Sequence, residues 1–233
     1  MKEKQVDVID KEWLAQPFIK SDLCSLEGFV INNKVNYIGL SMRSRVGCTE
    51  SQNIFPAESE VSTETYVLLT KALEKLVERS NYNKGYFHCE FLVHNKKIYL
   101  IDANFGRVGG GCIALQIAAS IGRNVEEVYA HVLAVTFLLT DKVDETLYTR
   151  NKIKTLSILY GIDQEAKFID LLRKKPYGKT QHIQLVRQGA ILQPVGVNNR
   201  SWIGILIGEP DIVLEEIKFI LIETNKGTLK PVF

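Results

Sequence analysis

The feature that most constrains the fold is a segment at residues 85–111, in which two alternating stretches flank a short polar turn and run into glycines. Side chains along a β-strand point to opposite faces with a period of two. Both stretches, about 85–94 and 97–103, follow that period, so the segment predicts a β-hairpin. On its first strand His88 and Glu90 share a face, and on its second strand Asp102 and Asn104 share a face.

The length of the turn decides which residues lie opposite each other. A two-residue turn, Asn95-Lys96, places Glu90 beside Ile101 and mixes apolar with acidic side chains. A three-residue turn, 95–97, places Glu90 opposite Asp102 and makes the other face wholly apolar. Because a slip of one residue turns every side chain to the other face, we predict the three-residue turn. The predicted core residues of the hairpin are Phe87, Phe91, Val93, Tyr99 and Ile101.

Two carboxylates directly opposite each other repel, and a divalent cation between them removes the repulsion. Glu90 and Asp102, together with the amide oxygen of Asn104 and water, form an oxygen-rich set that suits Mg²⁺. The alternative is a solvated pair of acids on a half-exposed hairpin, and it stays open at this point. His88 is predicted to serve as a hydrogen-bond partner on the same face.

A glycine-rich loop follows the second strand directly and leads into a helix. Its three consecutive glycines, 109–111, allow a close approach of backbone to a ligand. The helix start beyond them favours anions, and Arg107 can bind a phosphate or carboxylate with two parallel hydrogen bonds. The loop therefore predicts a phosphate or carboxylate site next to the acidic pair.

The rest of the chain predicts an α+β fold, with an antiparallel sheet covered by helices on its apolar face. Strands are expected at 24–31 and 35–42 around a turn at 32–34, and residues 43–61 read as irregular and polar. Helices are expected at about 62–80, with Ser62 or Thr63 as N-cap, at 112–121, ended by Gly122, and at 125–139. Further on, strands are expected near 153–160, 181–187, 190–197 and 201–207, and helices near 163–173 and 210–224.

Composition argues against several classes of partner. The net charge is +2 and charged residues make up 24%, so the composition does not indicate a nucleic-acid partner. No apolar stretch of about 20 residues predicts a membrane span, and the charged N-terminus lacks a secretory signal. Four widely spaced cysteines fit reduced thiols in a cytoplasmic protein.

Arg43 and Arg45 are expected in a solvated loop, with recognition of a substrate carboxylate as the alternative.

The motifs His88-Cys89-Glu90-Phe91 and Asp102-Ala103-Asn104, followed by Arg107 and the glycines, resemble the ATP-grasp superfamily, in particular its L-amino-acid-ligase-like carboxylate–amine ligases. The resemblance implies that Glu90, Asp102 and Asn104 hold Mg²⁺, with Mn²⁺ as an alternative ion, on the phosphates of ATP. It implies a catalytic contact of Arg107 with the transferred phosphoryl group or the substrate carboxylate. Asp102 stands where glutamate is usual, and Phe105-Gly106 stands where one proline is usual.

A second part of the resemblance lies near the N-terminus. Residues 14–28 resemble the strand and hairpin beside which the adenine lies in that superfamily. The resemblance implies that the backbone around Gln16, Pro17, Phe18 and Ile19 faces the adenine and that Asp22 stands near the ribose. For Gln16 and Asp22, an ordinary turn or strand end is an equal alternative.

The resemblance also implies a domain organisation. Residues 1–145 correspond to the C-terminal ATP-grasp lobe and residues 146–233 to a small α+β subdomain, while the N-terminal domain and the first ATP lobe are not matched. The implied function is the Mg·ATP-binding portion of a ligase that joins a small carboxylate to an amine through an acyl phosphate. The alternatives are a non-catalytic nucleotide-binding fragment, a split subunit that needs an N-terminal partner or a second copy, and an interaction module without ATP binding.

Overall fold

The computed structural model of the chain describes residues 18–47, 49–110, 112–137, 146–149, 151–173, 180–197 and 201–233. Gln16 and Pro17, two of the predicted adenine-facing residues, lie outside the described residues. None of the helices in the described ranges is long and apolar enough to cross a membrane.

The described residues form twelve strands and four α-helices. The strands are β1 (Asp22–Ile31), β2 (Lys34–Val46), β3 (Thr49–Phe55), β4 (Gly85–His94), β5 (Lys97–Phe105), β6 (Thr155–Tyr160), β7 (Ala166–Arg173), β8 (Gln181–Gln184), β9 (Ile191–Leu192), β10 (Gly204–Gly208), β11 (Ile220–Thr224) and β12 (Gly227–Leu229). The helices are α1 (Thr63–Arg79), α2 (Ile113–Ile121), α3 (Val125–Phe137) and α4 (Pro210–Glu216).

Two antiparallel sheets organise these elements. The larger has eight strands in the order β5-β4-β1-β2-β3-β6-β10-β8, and the smaller has the order β12-β11-β7-β9. The predicted α+β fold with a large antiparallel sheet is confirmed. The large sheet contains strands from both sides of residue 145, and the division of the chain at that residue stays a prediction.

The hairpin of β4 and β5 has the predicted facing pair but not the predicted turn. Asn95 and Lys96 both have positive φ, 50° and 61°, as a two-residue hairpin turn requires, so the three-residue turn was wrong. Glu90 nevertheless lies opposite Asp102, because the register shifts between Glu90 and Phe91. The extra residue is Ile101, which forms a β-bulge.

The bulge and the edge position of β5 also change the predicted core. Phe87 and Phe91 are buried, as expected, and pack with the apolar stripe of α1. Val93 is half-buried. Tyr99 and Ile101 are 37% and 49% exposed, so their assignment to the core was wrong. Since β5 is the outermost strand of the sheet, its side chains have a neighbouring strand on one side only.

The predicted helix ends are close to those observed. The hydroxyl of Ser62 accepts a hydrogen bond from the backbone N–H of Thr65 at 3.2 Å, so Ser62 caps α1. Gly122 adopts the left-handed conformation, φ 64°, directly after α2. That conformation is typical of a glycine that ends a helix.

Three predictions of secondary structure were wrong. The segment 43–61 is not irregular: β2 continues to Val46, and β3 follows with alternating burial. The segment at 163–173 is the strand β7, and the helix near 210–224 stops at Glu216 before β11. β7 and β11 pair along their length and supply Phe168, Ile220 and Ile222 to one buried cluster, so tertiary pairing decides their conformation.

Candidate active site

Strand order places the polar residues of three strands on one face of the large sheet. β1 lies between β4 and β2. In this arrangement Ser25 is paired with Glu90 on one side and with Ser41 on the other, and Glu27 is paired with His88. Directly paired side chains share a face, so these polar groups meet above the middle of the sheet, where most of them are buried.

Arg43 of β2 forms the buried centre of a network of ion pairs. Its Nη1 lies 2.6 Å from Glu50 and 2.7 Å from Glu90, and its side chain is 5% exposed. Burial lowers the pKa of the guanidinium, but the two carboxylates outweigh it and the pKa is raised. The expectation of a solvated loop was therefore wrong for Arg43, whereas Arg45 is exposed, although it also lies on β2.

His88 bridges two carboxylates. Its Nδ1 lies 2.5 Å from Glu27, and its Nε2 lies 3.0 Å from Glu90 and 3.2 Å from Nη2 of Arg43. Burial opposes protonation, but hydrogen bonds to Glu27 and Glu90 outweigh it and raise the pKa of His88 to about 9. The protonated ring donates to both carboxylates, so His88 is a hydrogen-bond partner at this site.

The same hydrogen bonds keep Glu90 ionised. The hydrogen bond from His88 is the largest influence on the pKa of Glu90. Together with Arg43 it lowers that pKa to about 2, although burial acts in the opposite direction. Glu90 is therefore a carboxylate at neutral pH.

Glu27 ties the glycine-rich loop to this network. Its Oε2 accepts the backbone N–H of Gly109 at 3.3 Å, while its Oε1 faces His88 and accepts from Ser25 at 3.0 Å. A Cβ atom added to Gly109 would lie 2.7 Å from Nδ1 of His88, a separation that side-chain carbons do not tolerate. The loop can therefore approach the buried histidine only because residue 109 is glycine.

The end of β5 carries a second, exposed chain of contacts. Nδ2 of Asn104 donates to Asp102 at 2.6 Å, and Nη2 of Arg107 donates to Oδ1 of Asn104, also at 2.6 Å. Asp102 and Arg107 are exposed. The structure thus brings the four residues predicted from the hairpin and its loop together on one hairpin and the loop that follows it. Glu90 is partly buried there, and Asp102 opposite it is exposed.

The predicted metal ligands suit a hard cation in their chemistry. Glu90, Asp102 and Asn104 contribute carboxylate and amide oxygens, which Mg²⁺ prefers. Within the described part of the chain, no group of three or more histidine, cysteine, aspartate or glutamate side chains is arranged to hold a metal, so any cation here depends on the amide of Asn104 or on a ligand phosphate. The carboxylate of Asp102 has an exposed amide as its partner, and such a surface contact is readily exchanged.

A cleft of about 470 Å³ opens beside these residues. Its charged lining contains three arginines and two glutamates, namely Arg43, Arg45, Arg107, Glu50 and Glu90. The apolar part of its wall comes from three distant parts of the chain, through Cys112, Ile113, Leu159 and Trp202. A cleft of this volume, with apolar surface and a few converging charges, is typical of a small-molecule site.

Of the residues predicted to lie near adenine and ribose, Asp22 lines a second depression, of about 440 Å³. Lys20, Ser21 and Asp22 line it together with the end of the β4–β5 hairpin. Phe18 is 93% exposed and Ile19 is half-buried. Asp22 pairs with Val93 and lies three residues before Ser25 on β1, which corresponds to about 10 Å along the strand. The roles of these residues toward a nucleotide stay predictions.

Sequence reasoning missed several residues of the site. Glu27 lies within the otherwise largely apolar strand β1, and an isolated acid at a buried strand position is a signal that could have identified it. Asn53 and Trp202 reach the cleft only because β3 and the segment before β10 pack beside it. Neither carries a local sequence signal that separates it from an ordinary strand or loop residue.

Comparison with known proteins finds similarity in structure and not in sequence. No protein-family model matches the sequence, and no curated protein matches it. Solved structures do match. Phosphoribosylglycinamide synthetase from Anaerococcus prevotii matches with a TM-score of 0.71 and 15% identity, over 88% of this chain and 54% of that one. L-amino acid ligase from Bacillus licheniformis matches with a TM-score of 0.68 and 17% identity, over 88% and 52%.

A third match carries nucleotide in its crystal. The biotin carboxylase domain of 2-oxoglutarate carboxylase from Hydrogenobacter thermophilus, in complex with MgADP and bicarbonate, has a TM-score of 0.63 and 12% identity, over 87% of this chain and 46% of that one. These three proteins are ATP-grasp enzymes, and the chain has the corresponding fold over most of its length. It spans about half the length of the structures it matches.

Proposed function

We propose that the chain is the Mg·ATP-binding portion of an ATP-dependent ligase that joins a small carboxylate to an amine through an acyl phosphate. The observation that carries this proposal is the pair Glu90 and Asp102, held opposite each other on a hairpin that runs into the loop of Arg107 and Gly109. The ATP-grasp fold of the matched enzymes supports it, because one of them is described in complex with MgADP.

Glu90, Asp102 and Asn104 are the residues that would hold Mg²⁺. A bound ion there supplies positive charge that neutralises the phosphates of ATP. The protein's own contribution is to keep Glu90 ionised through His88 and Arg43 and to keep Asp102 and Asn104 adjacent on β5. Arg107, the proposed catalytic residue, adds a guanidinium at the exposed end of this set.

The proposed reaction has two steps. In the first, an oxygen of the substrate carboxylate attacks the γ-phosphorus of ATP, the bond to the β-phosphate oxygen breaks, and ADP leaves. In the second, the amine attacks the carbonyl carbon of the acyl phosphate, inorganic phosphate leaves, and the nitrogen loses a proton. Arg107 stabilises negative charge that develops on the transferred phosphoryl group, as positioned cations do in phosphoryl transfer.

The share of the matched structures that the chain spans favours a second candidate. Each matched chain is about twice as long as the part that aligns, so a nucleotide-binding portion could act together with another polypeptide that provides the remainder. In that case the chain binds nucleotide without turning over substrates by itself. The partner would be an N-terminal subunit or a further copy of this chain. An interaction module that does not bind ATP is the third reading.

A titration with a fluorescent ATP analogue separates these readings. The proposal expects saturable binding that tightens when Mg²⁺ is added, and the interaction module expects no binding in either condition. Release of ADP that requires both a carboxylate and an amine identifies the chain as a complete catalyst. Mg²⁺-dependent binding without such release identifies the nucleotide-binding portion that needs a partner.

A further inference from the structure

Two buried polar atoms without a hydrogen-bond partner belong to neighbouring residues in the lining of the cleft. Arg43 of β2 and Asn53 of β3 are directly paired across the sheet, and both line the cleft. Nε of Arg43 and Oδ1 of Asn53 are buried, and neither has a hydrogen-bond partner among the described residues. The terminal nitrogens of Arg43 are already bonded to Glu50, Glu90 and Ser25, so its Nε is the donor that remains.

Such an arrangement is costly unless something bonds to it. A buried donor or acceptor without a partner loses its hydration and gains nothing in return. Asn53 is 5% exposed. Its backbone oxygen is fixed by Nε2 of Gln116, which is itself fully buried, at a distance of 2.7 Å. The side chain is therefore attached to a rigid part of the sheet and not to a loop that could turn toward water.

The two atoms, one hydrogen-bond donor and one acceptor, are complementary to a carboxamide. An N–H donor beside a carbonyl acceptor is complementary to a group that offers an acceptor oxygen beside an N–H donor. A carboxylate would satisfy Nε of Arg43 but would bring a second acceptor against Oδ1 of Asn53. A ketone would leave Oδ1 of Asn53 without a partner. The two atoms are buried, and the low local dielectric of a buried position strengthens the distinction.

We propose that Arg43 and Asn53 form a subsite for a carboxamide-type group on the molecule that the cleft binds, with Nε of Arg43 donating to its carbonyl oxygen and Oδ1 of Asn53 accepting from its N–H. Exposed Arg45, at the charged side of the cleft, suits a carboxylate elsewhere on the same molecule. This inference rests on the proposed function to the extent that the cleft is the place where the substrates of the ligase bind.

Two small acids of nearly equal shape test the subsite. Succinamate carries a carboxylate at one end and a carboxamide at the other, and levulinate carries a methyl ketone in place of the carboxamide. Binding of each to the full chain is measured by saturation-transfer NMR and competition. The subsite predicts that succinamate binds at least about tenfold more tightly, the factor expected when one buried hydrogen bond is left unmade. Equal binding of the two probes, or binding of neither, would overturn the proposal.

The variant Asn53→Leu removes the acceptor and keeps the approximate volume of the side chain. It is expected to abolish the preference for succinamate. Asn36→Leu, a substitution on β2 outside the cleft lining, is the control and is expected to retain the preference. A preference that survives in Asn53→Leu would overturn the assignment of Asn53. If Asn53→Leu does not fold, the comparison of the two probes on the unsubstituted protein still decides the proposal.

The same samples are titrated with the fluorescent ATP analogue and Mg²⁺. Nucleotide binding without a preference for succinamate leaves the proposed function standing and removes the subsite. A preference for succinamate without any nucleotide binding supports the subsite and contradicts the proposed function. The two failures are therefore distinguishable.

Discussion

The guanidinium of Arg43 on β2 lies 2.7 Å from the carboxylate of Glu90 on β4, although the whole of β1 separates the two strands. The contact crosses above β1, at the position where Ser25 pairs with Glu90 and where its small side chain accepts a hydrogen bond from Arg43 at 3.3 Å. One buried cation thus connects the strand that carries the proposed metal ligand to the strands that form the cleft.

This contact predicts a large difference between two arginines on the same strand. Arg43→Met leaves Glu50 and Glu90 without their shared cation. We expect it to lower the free energy of unfolding by about 2 kcal/mol, less than for a fully buried ion pair because both carboxylates keep some contact with solvent. Arg45→Met, at an exposed position, is expected to change it by less than about 0.5 kcal/mol. Urea denaturation measures both. Similar effects of the two substitutions would contradict the buried network.

The pKa of His88 predicts how stability depends on pH. Its pKa in the folded protein is about 9, above the ordinary value of 6.5, so its stabilising contribution is fully present below pH 6.5 and is lost as pH rises through 9. The loss amounts to about 3 kcal/mol. We expect the free energy of unfolding to fall between pH 6.5 and 10 and to fall less in His88→Gln. Parallel pH profiles of the two proteins would show that His88 is not held protonated.

Two adjacent glycines provide a sharp comparison in the loop. In Gly109→Ala the new Cβ meets Nδ1 of His88 at 2.7 Å and Cγ1 of Ile113 at 3.0 Å, whereas in Gly110→Ala the nearest atom is Nη1 of Arg107 at 3.9 Å. We expect Gly109→Ala to lower the free energy of unfolding by about 1–3 kcal/mol, the usual cost of overpacking. Gly110→Ala should be close to neutral. Thermal or urea unfolding measures the difference, and equal stabilities would place the loop away from His88.

The hairpin illustrates what its sequence could and could not predict. Period-two alternation identified both strands and the facing of Glu90 and Asp102. It assumed a continuous ladder, however, and therefore required a three-residue turn. The chain instead uses a two-residue turn and places Ile101 in a bulge. Alternation alone cannot distinguish these solutions, because one extra residue has the same effect on register in the turn as in the strand.

The cleft could not be predicted for a different reason. Arg43 and Glu90 are 47 residues apart, and Asn53 and Gln116 are 63 apart. Their contacts depend on the order of strands in the sheet and in particular on β3. That strand was not predicted, because the polar composition of 43–61 indicated an irregular segment. Local patterns predicted the metal-ligand candidates because these lie on one hairpin. The residues around Arg43 that help to keep Glu90 ionised and partly buried come from elsewhere in the sheet.

Glu90, Asp102 and Asn104 are proposed to bind the metal that accompanies ATP, and Asp102 offers the most direct test of this role. Asp102 is exposed, so Asp102→Asn should leave the fold intact while removing one charged ligand. The control is Asp170→Asn, at another exposed aspartate on a strand. The measurement is the affinity for a fluorescent ATP analogue with and without Mg²⁺. We predict that Asp102→Asn reduces the tightening by Mg²⁺ at least about tenfold and that Asp170→Asn retains it. Undiminished Mg²⁺ dependence in Asp102→Asn would contradict the account.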